Sequence, residues 1–145
     1  MFPLLDFDNT AIETAIKAAE LRSTGEIRVC VERRDVDDLE SRAREVFDKL
    51  GMTETRGRNG VLFYAHLRRK RLVVLGDAGI NEKVPQGFWQ DVCDEVLSCF
   101  ARGDMTVGVV LGIMLAGEQL ALHFPRTGAH TPNELPDAVA MGEQL

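Results

Sequence analysis

Two apolar segments joined by a short basic connection place the strongest limit on how this chain can fold. Residues 61–65 and 72–75 are as apolar as buried strands, and the basic residues 68–70 make a tight connection between them. So short a connection can join only antiparallel neighbours. An earlier alternating segment, residues 26–33, has the pattern of a strand with one buried face, and the helical segment after it allows a parallel pair. The sequence therefore predicts a mixed sheet.

Four segments with helical periodicity accompany these strands. The first covers residues 8–22, the second begins at Asp37 or Asp38, and the third and fourth begin at Pro85 and Asp104. Aspartate and proline are common at helix starts, aspartate because its side chain accepts a backbone hydrogen bond and proline because it has no amide to satisfy. Gly108 and Gly112 remove side chains from one face of the fourth helix, which predicts close packing on the sheet.

Length, composition and charge limit the class of protein. The chain has 145 residues, 45% of them hydrophobic, which fits one folded domain and excludes intrinsic disorder. We assign residues 1–124 to that domain and residues 125–145, whose prolines and polar residues show no period, to an extended C-terminal tail. The net charge of −6 argues against a dedicated nucleic-acid binder, because neutralising phosphates requires a basic surface. The basic run 68–71 is interpreted as a solvated hairpin tip, with contact to an anionic partner or lipid head group as the alternative.

Three features predict a reduced, soluble, cytoplasmic protein. Cys30, Cys93 and Cys99 are odd in number and are not spaced as metal ligands. The N-terminal residues lack the basic and apolar regions of a signal peptide. The longest apolar run, residues 107–117, falls short of the roughly 18 residues that cross a bilayer, so we expect no transmembrane segment.

Nucleophilic catalysis through serine or cysteine finds no support in the motifs. The chain has no Gly-x-Ser-x-Gly sequence, P-loop, His-Glu-x-x-His or Cys-x-x-Cys. His66, His123 and His130 fall at a predicted strand end, a helix end and the tail, while Cys30 and Cys93 occupy packing positions. The sequence therefore contains no complete catalytic constellation.

The predicted topology gathers polar residues at one edge of the sheet. The starts of the first two strands and the end of the third lie at that edge, if the first pair is parallel and the second antiparallel. The residues concerned are Glu26, Asn59, Asp77, Asn81 and Glu82. Carboxylates and amide carbonyls are the ligands that calcium and magnesium prefer, which predicts a divalent metal site. The alternative interpretation is that these residues form turns and helix caps.

Several motifs, taken in order along the chain, resemble one known family. They are Ser-Thr-Gly-Glu-Ile-Arg-Val at residues 23–29, Arg-Asn-Gly-Val-Leu at 58–62, and Gly-Asp-Ala-Gly-Ile-Asn-Glu-Lys-Val-Pro at 76–85 with Phe88 and Trp89. Together they resemble the TPM domain, which is named for thylakoid lumen, photosystem II repair and levamisole-receptor modulator proteins. The tail motif at residues 133–137 is similar to the stand-alone, soluble bacterial branch of that family.

This resemblance implies an α/β fold for residues 1–124, a three-layer α/β/α sandwich with a small mixed central sheet flanked by helices. It also implies a choice of functions, because some members bind calcium or other divalent metals and have acid phosphatase activity. Other members are accessory factors in membrane-protein assembly or repair. Asn59 and Asp77 fall in matching motifs near the loops associated with metal, whereas Glu26, Asn81 and Glu82 follow only from the predicted topology.

Two functions are consistent with these observations. The first is a non-catalytic accessory or binding domain that acts on a protein partner and is modulated by a divalent metal. The alternative is a divalent-metal-dependent acid phosphatase-like hydrolase, in which calcium or magnesium near Asp77 polarises a phosphoryl oxygen. We favour the first, because a phosphoryl site also needs cationic donors and none could be placed near Asp77 from the sequence.

Overall fold

Four strands and five α-helices make up the computed structural model, which describes residues 8–126 and 135–145. The strands are β1 (Glu26–Glu32), β2 (Gly60–His66), β3 (Arg71–Gly76) and β4 (Ala140–Met141). The helices are α1 (Asn9–Glu20), α2 (Leu39–Lys49), α3 (Ala78–Asn81), α4 (Phe88–Ala101) and α5 (Met105–His123). Short 3₁₀ turns cover Met52–Glu54 and Gly142–Gln144.

The strands form one mixed sheet in the order β3–β2–β1–β4. β1 and β2 are parallel with Glu26 opposite Gly60, and β2 and β3 are antiparallel with Val61 opposite Gly76. The predicted mixed sheet is therefore confirmed, and the starts of β1 and β2 meet the end of β3 at one edge.

Helices cover both faces of the sheet, as a three-layer sandwich requires. One apolar core joins the sheet to α1, α4 and α5, and a second joins it to α2. Buried members of the first include Ile12, Val29, Phe63, Phe100 and Ile113, and of the second Cys30, Val46, Leu62 and Tyr64. The predicted α/β class and the helices on both sides of the central sheet are confirmed.

The helix starts were predicted with mixed success. Asp38, not Asp37, caps α2, because its side chain accepts hydrogen bonds from the second and third backbone amides of that helix. Asp104 occupies the N-cap position of α5, but its side chain makes no cap hydrogen bond, so the predicted capping role is wrong. The third long helix begins at Phe88, after Gly87 at φ +80°, rather than at Pro85.

The helix α5 is buried against its neighbours through glycines. A Cβ atom at Gly112 would lie 2.8 Å from the ring of Phe63 in β2, which confirms close packing on the sheet. A Cβ atom at Gly108 would lie 3.0 Å from Phe100, so that glycine makes room for α4. The helix α5 has 19 residues, and an 18-residue window within it has a mean hydropathy of 1.7, so it is long and apolar enough to cross a membrane. In the fold, 44% of that window is buried. Such a helix is weak evidence for a membrane span, because a core helix has the same properties.

The end of the chain joins the sheet. Ala140 and Met141 form β4, which pairs in parallel with Cys30 and Val31 of β1. The carbonyl oxygen of Gly142 then accepts hydrogen bonds from two arginines, at 2.9 Å and 3.0 Å. Part of the predicted tail is thus a structural element, while residues 127–134, with His130 and the first two residues of the tail motif, lie outside the described residues.

Candidate functional site

The candidate site begins with the backbone at the shared edge of the sheet. The amide of Glu26 donates to the carbonyl oxygen of Asn59 at 3.4 Å, and the amide of Asp77 donates to that of Gly60 at 2.9 Å. Three neighbouring strands therefore bring Glu26, Asn59 and Asp77 to one edge, as the predicted topology requires.

The carboxylate of Asp77 is held by Arg58. Its two oxygens accept hydrogen bonds from Nε of Arg58 at 2.6 Å and from Nη2 at 2.9 Å, and Oδ1 also accepts from the amide of Ala78 at 2.8 Å. The Asp77 side chain is 6% exposed, whereas that of Arg58 is 52% exposed. This pairing raises the pKa of Arg58 above its usual value. A buried negative charge is thus neutralised by a guanidinium that reaches solvent.

The backbone of Arg58 is fixed as firmly as its side chain. Its φ of 49° lies in the left-handed region, which a residue with a side chain rarely adopts. Its carbonyl oxygen accepts hydrogen bonds from the amides of Gly79 at 2.7 Å and Ile80 at 3.3 Å. A Cβ atom at Gly79 would lie 2.1 Å from the carbonyl oxygen of Gly57, so only glycine allows this approach. The start of α3 and the segment before β2 therefore form one rigid unit.

Asn59 is buried beside this unit. Its side chain is 1% exposed, and its Nδ2 donates to Oγ1 of Thr24 at 3.3 Å. Its Oδ1 is buried and accepts no hydrogen bond within the described part of the chain. A buried acceptor without a donor is costly, so this oxygen is a predicted ligand atom that the described fold leaves unsatisfied.

Asn81 and Glu82 serve the local structure. The Oδ1 of Asn81 accepts from Nε1 of Trp89 at 2.7 Å, and its Nδ2 donates to the carbonyl oxygen of Gly76 at 2.8 Å. Asn81 thereby ties the start of α4 to the end of β3. Glu82 is exposed at the C-terminal end of α3.

The side chain of Glu26 belongs to a separate carboxyl cluster. It is 3% exposed and lies with Glu20, which is 7% exposed, and Asp137. The amide of Ile27 donates to Oε2 of Glu20 at 3.0 Å. Burial, followed by hydrogen bonds to Asp137 and Glu26, raises the pKa of Glu20 to about 11. Glu20 is therefore a neutral acid at physiological pH, and the cluster holds less negative charge than its three carboxyl groups suggest.

The predicted metal ligands do not fit a divalent ion in this arrangement. Residues 8–126 and 135–145 contain no group of three or more His, Cys, Asp or Glu side chains that could hold a metal. The Asp77 carboxylate accepts hydrogen bonds from Arg58, and Oδ1 of Asn81 accepts one from Nε1 of Trp89. Arg58 supplies the positive charge beside Asp77 that the sequence pattern assigned to a metal.

The remaining reactive groups have structural partners. Burial raises the pKa of the Cys30 thiol to about 12, which keeps it protonated. The buried ring of His66 contacts the Arg34 carbonyl oxygen through Nε2 at 2.6 Å and accepts from the Arg69 amide through Nδ1. Glu32, fully buried, accepts a hydrogen bond from the Tyr64 hydroxyl at 2.9 Å. These groups stabilise the sheet and its connections.

A groove runs along the outer edge of β3, between α2 and α4. It consists of two cavities of about 480 and 400 Å³. Both cavities are lined by Arg44, Val74, Leu75 and Trp89. We call this feature the β3 groove; it reaches the Arg58–Asp77 pair, because Asp77 lines the larger cavity.

The model of the TPM domain family matches residues 4–119, which is most of the chain. This chain belongs to the TPM domain family. Its structure is similar to the NMR structure of the BA42 protein from the psychrophilic bacterium Bizionia argentinensis, with a TM-score of 0.84 and 38% identity over 92% of this chain and 91% of that one. The N-terminal domain of a protein from P. gingivalis shares the fold, with a TM-score of 0.65 and 18% identity over 79% of this chain and 76% of that one. No curated protein sequence matches the chain.

The sequence did not identify three residues that shape the site of this TPM domain. Arg58 stands directly before Asn59 in the sequence Arg-Asn-Gly-Val-Leu, and that adjacency was the available signal for a cation at the edge. Glu20 and Asp137 gave no such signal, because one lies on a helix and the other near the chain end, far from each other in sequence.

Proposed function

We propose that this TPM domain is a non-catalytic binding domain that acts on a protein partner. The Arg58–Asp77 pair carries the proposal, because it uses both oxygens of the acidic residue on which a metal-assisted reaction would depend. The β3 groove next to that pair supports it further, since it offers an open surface lined by both apolar and charged side chains.

Divalent metal acts in this proposal as a competitor. A cation that binds Asp77 must first displace the guanidinium of Arg58, whose side chain is half exposed and can move into solvent. Metal would then modulate the surface at the end of the groove by releasing Arg58.

A phosphatase-like hydrolase is the second candidate. A phosphoryl site needs a cationic donor near Asp77, and Arg58 lies there with an accessible guanidinium. A guanidinium recognises phosphate oxygens through two parallel hydrogen bonds. The buried Oδ1 of Asn59, which has no hydrogen-bond partner in the described structure, is a further acceptor at this edge.

Hydrolysis of p-nitrophenyl phosphate at acidic and neutral pH, with and without calcium or magnesium, separates the two candidates. We expect no turnover above that of the buffer in any condition. Metal-dependent turnover that Asp77→Asn abolishes, and that Asp91→Asn at an exposed position of α4 leaves unchanged, would overturn the binding-domain proposal. Circular dichroism of both variants shows that the loss is not unfolding.

A further inference from the structure

In the described part of the chain no strand pairs with the outer edge of β3, and this edge faces the β3 groove. In the described sheet β3 is the terminal strand and pairs only with β2. The hydrogen bond from the Asp77 amide to Gly60 sets the alternation of the antiparallel ladder. That alternation turns the amides and carbonyls of Leu72, Val74 and Gly76 outward, away from β2.

Side chains protect the two ends of this edge. The Sγ of Cys93 contacts the carbonyl oxygen of Leu72 at 3.8 Å, and Nδ2 of Asn81 donates to that of Gly76 at 2.8 Å. Thiols are weak donors, so the contact to Leu72 is easily replaced by a backbone amide. Cys93 also makes a hydrogen bond with the backbone of Val74, so an added strand must displace this weak contact as well.

The walls of the groove suit an extended chain. A strand added to β3 lies between α2 and α4, and its successive side chains face the two helices in turn. Phe47 lines the α2 side, while Trp89 and Leu97 line the α4 side. Apolar side chains at alternate positions all face one of these walls, and either wall offers them apolar contacts.

Charge further defines the occupant. Arg44 and Arg71 line the groove and are exposed, and neither forms an ion pair in the ranges that the structure describes. Glu40 and Asp48 also line it, each in one cavity only, whereas Arg44 lines both. An acidic side chain near the centre of a bound segment is therefore complementary to Arg44.

We infer that the β3 groove binds an extended segment of a partner protein, which adds a strand to β3 and carries apolar side chains at alternate positions around a central carboxylate. This inference rests on the proposed binding function and names its partner chemistry. Strand addition is a common mode of peptide recognition, in which backbone hydrogen bonds give affinity and pockets for alternate side chains give specificity.

The test uses synthetic peptides of about ten residues, the upper end of usual strand lengths, that alternate valine and threonine around a central glutamate. Binding is followed by the backbone amide shifts of the full chain. We expect saturable shifts at Leu72, Val74 and Gly76. A peptide methylated on alternate backbone nitrogens should not bind, because it cannot complete the ladder.

Charge complementarity is tested with two variants. Arg44→Glu should weaken binding of the glutamate peptide by about fivefold and favour a peptide with central lysine. Lys17→Glu, an exposed change on α1 remote from the groove, should leave both affinities unchanged.

Three results would overturn the inference. They are no binding at millimolar peptide, shifts confined to another surface, and equal binding of the methylated peptide. Concentration-dependent shifts at β3 without peptide would overturn it too, because they would identify a second copy of the chain as the occupant. Phosphomonoester turnover by the same preparation would overturn the proposed function, so the two failures remain distinct.

Discussion

Arg58 donates two hydrogen bonds to Asp77, from Nε at 2.6 Å and from Nη2 at 2.9 Å, across the edge where β2 begins and β3 ends. Arg58 also adopts a left-handed backbone conformation, so the residue that neutralises the charge of Asp77 has a strained backbone. Strained residues are concentrated at functional sites, and this one lies beside the β3 groove. The behaviour of the edge therefore depends on this contact.

Replacing Arg58 with alanine should destabilise the fold. Asp77, which is 6% exposed in the wild type, would keep only the hydrogen bond from the Ala78 amide. We expect a loss of about 1–2 kcal/mol in the free energy of unfolding, measured by urea denaturation. Lys83→Ala, at an exposed position just beyond α3, is the control and should change little. Equal stability of Arg58→Ala and the wild type would show that the pair is not structural.

Gly79→Ala should be more damaging than its exposure suggests. The new Cβ atom would lie 2.1 Å from the Gly57 carbonyl oxygen, so the segment before β2 or α3 must move. We expect a loss of about 2–4 kcal/mol, read from thermal or chemical unfolding. Gly87→Ala separates this clash from backbone strain, because Gly87 has φ +80° but no atom within 4 Å of its added Cβ. That control should cost only about 1 kcal/mol, and equal losses would contradict the steric explanation.

Glu20 should make the protein less stable as the pH rises. Its pKa is raised from 4.5 to about 11, chiefly by burial, so folding favours the protonated acid. The stabilisation is complete below pH 4.5, the unfolded value, and is lost progressively as the pH rises towards 11.

Glu20→Gln removes this titration while keeping an oxygen that can accept from the amide of Ile27. Relative to the wild type, the variant should gain stability between about pH 5 and 8, by at most about 1.4 kcal/mol per pH unit. Chemical denaturation across that range measures the difference. Glu118→Gln, exposed on α5, should leave the pH dependence unchanged. A parallel pH dependence of Glu20→Gln and the wild type would refute the buried neutral acid.

Local signals were enough to predict the sheet and its shared edge. The alternation in β1 and the apolar runs of β2 and β3 predicted the strands, and the helical and short connections between them predicted their directions. The prediction that β1 has a single buried face was wrong, because all seven of its residues are buried. β4 escaped prediction because two residues, Ala140 and Met141, have no measurable period, and their pairing with β1 depends on contacts across the whole chain.

The candidate site was predicted at the level of backbone position and not of side-chain partners. Which cation meets Asp77 depends on the left-handed turn at Arg58, and no spacing rule reports that conformation. Asn81 was expected to face a ligand, but the indole of Trp89 provides a donor within the fold. Glu26 turns towards Glu20, a partner that becomes visible only when α1 is placed beside β1.

The central claim is that Arg58 occupies the place of a cation at Asp77, and a calcium titration of the wild type and Arg58→Ala tests it most directly. The amide shifts of Asn59 and Asp77 report binding at this edge. We predict that Arg58→Ala binds calcium about tenfold more tightly than the wild type, because the competing guanidinium is gone. Equal or weaker binding by Arg58→Ala would contradict the account.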